Sequence, residues 1–368
     1  MNSPLPLDDV LADAAPLLDD LDPLQAELWC SDFLGAFWLQ GVSEVAADLL
    51  PHLEKAASPE ANLLCHTLAA FGVEGAADAA ERLTASGVRA PAWAGAPAAV
   101  ADACFRYGDD FGDQESFLCS FVRDGAAHAV FVLVDHTLGG LAKDAFVVDD
   151  VPSALAALQE QCADDPFSSV TPVDAAVAGA RLTRALAFTD AAGGDDPELS
   201  EELGEDFPAT RAFARARVAT LPAGAADATD QAYEVDALVG EFLAAPEAAE
   251  LADAAWAGRL VTVWAEHIAA AGDDPRRMSP GRIEELLVDV TPGAVLLDAE
   301  GRAAVPDVAR AWLAWSLRGT WGASLPEAAT AYLGEVLAEV LDEFPIGYLD
   351  LQAVLYRHGN ADTVDLRG

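Results

Sequence analysis

Residues 105–150 read FRYGDDFGDQESFLCSFVRDGAAHAVFVLVDHTLGGLAKDAFVVDD, and they form the one stretch of the chain patterned as sheet rather than helix. Ser116 to Arg123 and Ala127 to Asp135 are rich in Phe and Val and are separated by Asp124-Gly125, the strongest short-range signal for a β-hairpin. In the second run His128, Val130, Val132, Val134 and His136 share one face, and Ala129, Phe131, Leu133 and Asp135 the other. Both faces are apolar in the middle, as in a strand covered on two sides. Phe146 to Val148 reads as a third strand, reached through Thr137 to Asp144, where Gly139-Gly140 permits a tight path. Helices must cover this small sheet.

Working outward, residues 1–104 read as short helices punctuated by Pro and Gly. Ser58-Pro59 is an N-cap followed by Pro at the first helical position, and Gly87 is placed to end a helix over Ala76 to Ser86. Beyond the sheet, Pro152 to Gln161 and Pro172 to Thr189 read as helices, the second capped by Thr171. Asp190 to Asp206, DAAGGDDPELSEELGED, is acidic and contains no base, which marks a linker or surface loop. The organisation expected is therefore 1–189 as a helical region plus the hairpin sheet, 190–206 as a linker, and 207–368 as a helical region. The fold class expected is predominantly helical α+β, with about three antiparallel strands over residues 116–148 packed among helices.

In the last region Trp256, Leu260, Val263, Trp264, His267 and Ile268 recur at helical spacing, which places His267 on an apolar face as a core histidine. Ser324-Leu325-Pro326-Glu327 has the form of a capping box and announces a long amphipathic helix. Arg211 and Arg215 lie four apart on one helical face, with Arg217 close by; balancing the acids just before them accounts for the group.

The formal net charge is −42, with pI near 4.1, yet 52% of the residues are hydrophobic. Low hydrophobicity, and hence disorder, is excluded; a folded body with an acidic shell remains. Such a field repels phosphate backbones and anionic membranes, which disfavours nucleic acid as a general ligand and favours a basic protein, metal cations or simple solubility. Lys55 and Lys143 are the only lysines, and Ala is abundant. A GC-rich genome explains both, and a salty cytoplasm would suit the acidity. Cys30, Cys65, Cys104, Cys119 and Cys162 are widely spaced with no CxxC pair, as expected of reduced thiols. The first 20 residues are acidic where a signal peptide is basic, and no apolar run reaches membrane-spanning length. A cytoplasmic location is the expectation that follows.

Motif spacings exclude more than they assign. Asp109-Asp110-Phe111-Gly112-Asp113 has the DDxxD form used by isoprenoid synthases to hold metal-bound diphosphate, but Gly108 and Gly112 interrupt it and a strand follows at once. There is no GxxxxGK[ST], GxSxG, HExxH or GxGxxG. One constellation survives. Asp135 and His136 stand at the carboxyl end of the buried strand, the following loop offers Lys143, and Asp109 and Asp113 precede the strand that pairs with it. As a site, Asp109, Asp113, Asp135 and His136 would ligate a divalent metal, with Asp135, His136 and Lys143 as the catalytic groups. As structure, the same aspartates would cap the strand and make Asx turns, and Lys143 would pair with an acid. Two functions follow: a non-catalytic cytoplasmic interaction or regulatory protein with a strongly acidic surface, favoured because no catalytic signature is present, or a metal-dependent hydrolase at the sheet edge.

Overall fold

The computed structural model describes residues 7–20, 22–38, 42–123, 125–195, 203–224 and 233–357. It is predominantly helical around one antiparallel sheet of five strands, in spatial order β4-β3-β2-β1-β5. The strands are β1 (Val100–Asp109), β2 (Gln114–Arg123), β3 (Ala126–Asp135), β4 (Leu141–Val148) and β5 (Ser168–Pro172). The expected hairpin is β2–β3, in register from Gln114↔Asp135 to Arg123↔Ala126. Its turn retains Gly125 at φ +83°, while Asp124 lies outside the described residues.

Three strands were expected and five are present. β1 occupies the end of the segment read as helical, because Ala101, Asp102 and Ala103 carry no strand preference of their own. Pairing with β2 makes them a strand. Ser120 Oγ assists at a register shift between Ala101 and Cys104, accepting from Ala103 N at 3.0 Å and donating to Ala103 O at 3.1 Å. β5 is five residues long and takes in Thr171 and Pro172, which were read as the start of a helix; Asp174 caps that helix instead.

The helices are α1 (Leu7–Ala14), α2 (Pro23–Gly35), α3 (Val42–Ala56), α4 (Pro59–Ala70), α5 (Ala76–Ala85), α6 (Val151–Asp164), α7 (Ala175–Asp195), α8 (Phe207–Val218), α9 (Val235–Leu243) and α10 (Ala254–Ala270). Then come α11 (Pro280–Glu284), a π-helical turn (Glu285–Val290), α12 (Thr291–Ala294), α13 (Ala299–Arg318), α14 (Thr320–Ser324) and α15 (Glu327–Arg357). Ser58 and Ser279 cap α4 and α11 as their Ser-Pro pairs imply. Ser324 does not cap α15; its hydroxyl donates to Trp321 O, because the residue ends α14.

α7 and α8 share one face of the sheet, where Leu182, Leu186, Phe207 and Phe213 meet Phe117, Phe121, Val130 and Val132. Much of the expected linker is therefore not a boundary between cores. α7 continues through Asp195, residues 196–202 lie outside the described residues, and Gly204 N donates to Lys143 O at 2.8 Å beside β4. Arg211 and Arg215 both pair with Asp190. A separate core begins with Leu238 on α9 and is built from α10, α13 and α15, with Phe111 from the loop after β1 inserted into it. His267 is not in that core. It is 39% exposed, and its Nε2 meets Glu285 Oε1 at 2.7 Å.

Candidate functional site

Strand alternation puts Arg106, Gly108 and Glu115 on the face of the sheet that α7 covers, since Gly108 pairs directly with Glu115. His136 continues the same face two residues beyond Val134, the partner of Glu115 on β3. α7 contributes Arg181 and Arg184. Arg106, Glu115, His136, Arg181, Arg184 and Arg277 line a cavity of about 450 Å³.

Glu115 is the centre of the arrangement. Only 4% exposed, it accepts from Arg106 Nε at 2.6 Å and Arg181 Nη1 at 3.0 Å, and it meets His136 Nε2 at 3.2 Å. Burial alone would push its carboxyl up, but the hydrogen bonds from His136 and Arg106 and the charge of Arg181 outweigh it and hold the group at about 2. Glu115 is thus an anion fixed inside the protein. The two guanidiniums remain partly open, Arg106 at 28% and Arg181 at 36% exposed. Arg106 lies flat over Gly108, where a Cβ would come within 2.8 Å of its Nη2.

Buried arginines from the second half of the chain grip the loops at this end of the sheet. Arg282 is fully buried and donates to His136 O at 3.0 Å, Thr137 O at 2.9 Å and Glu285 Oε2 at 2.6 Å. Arg277 donates from Nη1 to Phe111 O at 3.0 Å and pairs with Asp273. Gly112 takes φ +79° there, and a side chain in its place would meet Arg277 Nη1 at 3.2 Å.

The residues proposed from sequence are brought to one end of the sheet, since His136 N donates to Asp113 O at 2.8 Å. Their side chains do not converge. Asp135 Oδ1 accepts from Thr137 N and Oγ1, its Oδ2 accepts from Gln114 Nε2 at 2.8 Å, and Lys143 Nζ stands 3.6 Å away. Asp113 Oδ2 accepts from Gly281 N at 2.9 Å, and Asp109 Oδ1 accepts from Gly112 N at 2.5 Å. Burial, with the charge of Asp113 adding, raises the Asp109 carboxyl above its ordinary range. His136 and Asp109 line the cavity, whereas Asp135 and Lys143 do not. Among the described residues no three His, Cys, Asp or Glu side chains are grouped to hold a metal ion. Asp109, Asp113, Asp135 and His136 are not gathered as a ligand set: Asp135 bonds Thr137 and Gln114, Asp113 Oδ2 bonds Gly281 N, Asp109 Oδ1 bonds Gly112 N, and His136 meets Glu115.

Sequence reading missed Glu115, Arg106 and Arg181. The available signal was rarity. In a chain this acidic, a glutamate beside an apolar strand and an arginine inside another strand are out of place unless paired across the sheet. No protein-family model matches the chain, and neither a curated protein nor a solved structure matches it, so the site rests on its own geometry.

Proposed function

We propose that this chain is a non-catalytic cytoplasmic interaction or regulatory protein that takes a small anion, a carboxylate or a phosphate, between Arg106 and Arg181. The observation that carries the reading is two partly exposed guanidiniums sharing one buried carboxylate in a cavity. Arg106 and Arg181 both turn toward Glu115, and an incoming anion would bind beside it at their exposed edges. Guanidinium is the group best suited to such ligands, because its planar fork matches carboxylate and phosphate. The cavity lining contains no Ser, Thr, Cys, Tyr or Lys. Of the groups that do line it, Glu115 and His136 are engaged with each other and with Arg106 and Arg181, which favours binding over turnover. A metal-dependent hydrolase draws no support from the positions of Asp135 and Lys143.

The acidic exterior suits a basic protein partner. Arg211, Arg217, Arg277 and Arg282 are buried, as are Glu27, Glu115 and Asp135, so burial leaves the strongly acidic balance of the surface nearly unchanged. The test is thermal unfolding of the full chain in inorganic phosphate or succinate at constant ionic strength. A saturable rise in Tm that is lost in Arg181→Gln supports the reading; an equal rise in wild type and variant removes it.

A further inference from the structure

A second cavity, of about 480 Å³, lies on the other side of the same turn, and its chemistry is opposite. The rings of Tyr107, Phe111, Phe167 and Tyr332 line it together with the carboxylates of Asp109 and Asp113. Its described lining contains no Lys, Arg or His. Three of the rings stand in mutual contact, with centroids 5.3 Å apart for Phe111 and Phe167, 5.0 Å for Phe167 and Tyr332, and 5.8 Å for Phe111 and Tyr332.

We infer that this cavity binds an organic cation, a guanidinium or alkylammonium group. Aromatic faces attract such cations through their quadrupole, and the attraction grows as water is excluded. Metal cations and ammonium ions that keep their water gain less from ring faces, so the rings select a large, weakly hydrated cation. The carboxylates supply charge that the protein itself leaves incompletely answered. Asp113 Oδ1 accepts no hydrogen bond among the described residues and pairs with Arg277 Nη1 at 3.5 Å, so this buried carboxylate acts on the cavity as a nearby charge rather than as a direct ligand. A cation in the cavity would be attracted to both carboxylates. The volume exceeds that of a guanidinium head and accommodates the methylene stem behind it. The two cavities adjoin, sharing Asp109, Phe111 and Glu115 in their walls, but this inference does not depend on the anion reading.

The test is calorimetric titration of the full chain with methylguanidinium, and with neutral methylurea as the isostere, in concentrated KCl to screen the acidic surface. Saturable one-to-one binding of methylguanidinium and none of methylurea is expected. Tyr332 is 38% exposed on α15, so Tyr332→Leu should fold; it is expected to weaken binding about tenfold, while Tyr332→Phe retains it. Equal affinity for methylurea, or a Tyr332→Leu variant that binds as wild type does, would overturn the inference and leave only diffuse attraction to the surface. A third titrant, acetyl-Ala-Arg-Ala-amide, separates the sources of the group. Tighter binding of the peptide than of methylguanidinium supports an arginine presented by a basic protein, and equal binding supports a free small cation.

Discussion

Arg217 Nε donates to His128 Nε2 at 2.8 Å in a buried site where α8 meets the start of β3. The same guanidinium reaches Glu27 on α2, which also holds Arg123 at 2.5 Å, so one network ties the N-terminal helices to the sheet and to α8. An accepting Nε2 must be unprotonated. Burial, with the charge of Arg217, pushes His128 down to about 4.

Acidification should therefore destabilise the protein in a defined window. Between pH 6.5 and about 4 the unfolded chain binds the His128 proton and the folded chain does not, so stability falls as pH drops through that interval. The full effect is about 3 kcal/mol, from roughly 1.4 kcal/mol per pH unit. Urea midpoints at pH 7 and pH 4.5 should differ in wild type and differ much less in His128→Asn, whose amide oxygen can still accept from Arg217. Glu115 adds a second loss lower down, from pH 4.5 towards 2, because its folded carboxyl is depressed.

Glu27→Gln should be among the most damaging single changes. It leaves Arg123 and Arg217, with side chains 11% and 5% exposed, without a counter-charge. Stranding buried charge in this way costs about 3–5 kcal/mol. Urea unfolding checks it, and a loss below about 1 kcal/mol would mean that water reaches the network.

Arg282→Lys tests the grip on the loops. Lysine keeps the charge but cannot reach His136 O, Thr137 O and Glu285 together as the planar fork does. Loss of two charge-assisted bonds should cost about 2–3 kcal/mol. Amide exchange should quicken selectively over residues 110–113 and 136–140.

Gly35→Ala should separate α2 from α8. A Cβ there would lie 2.3 Å from Pro208 O, and backbone cannot move aside as a side chain can. Overpacking of this kind costs about 1–3 kcal/mol. Thermal unfolding should show it.

The hairpin was legible because Phe and Val dominate both runs and a two-residue Gly turn joins them. β1 and β5 were not, since their strand character comes from pairing with β2 and with each other rather than from Ala101 to Ala103 or Ser168 and Ser169. The acidic stretch at 190–206 looked like a boundary, yet its first residues extend α7 and Asp190 anchors two arginines of α8. The end of the sheet that carries the cavity was identified from His136 and Asp109. The Arg106–Glu115–Arg181 cluster was not, because Glu115 lies 9 residues from Arg106 and 66 from Arg181 in sequence, and the three meet only through strand register and the docking of α7.

Anion binding at Arg106 is tested most directly by Gly108→Ala. The nearest atoms to the added methyl are the end of the Arg106 side chain, Nη2 at 2.8 Å, so the flexible guanidinium is displaced first. Wild type and variant should unfold at nearly the same temperature. Calorimetric titration with succinate and with inorganic phosphate should then give saturable one-to-one binding of at least one anion in wild type, weakened about tenfold in the variant, as expected for losing roughly 1.4 kcal/mol of a charge-assisted contact. Equal affinities in the two proteins, or no saturable binding of either anion, would contradict the account.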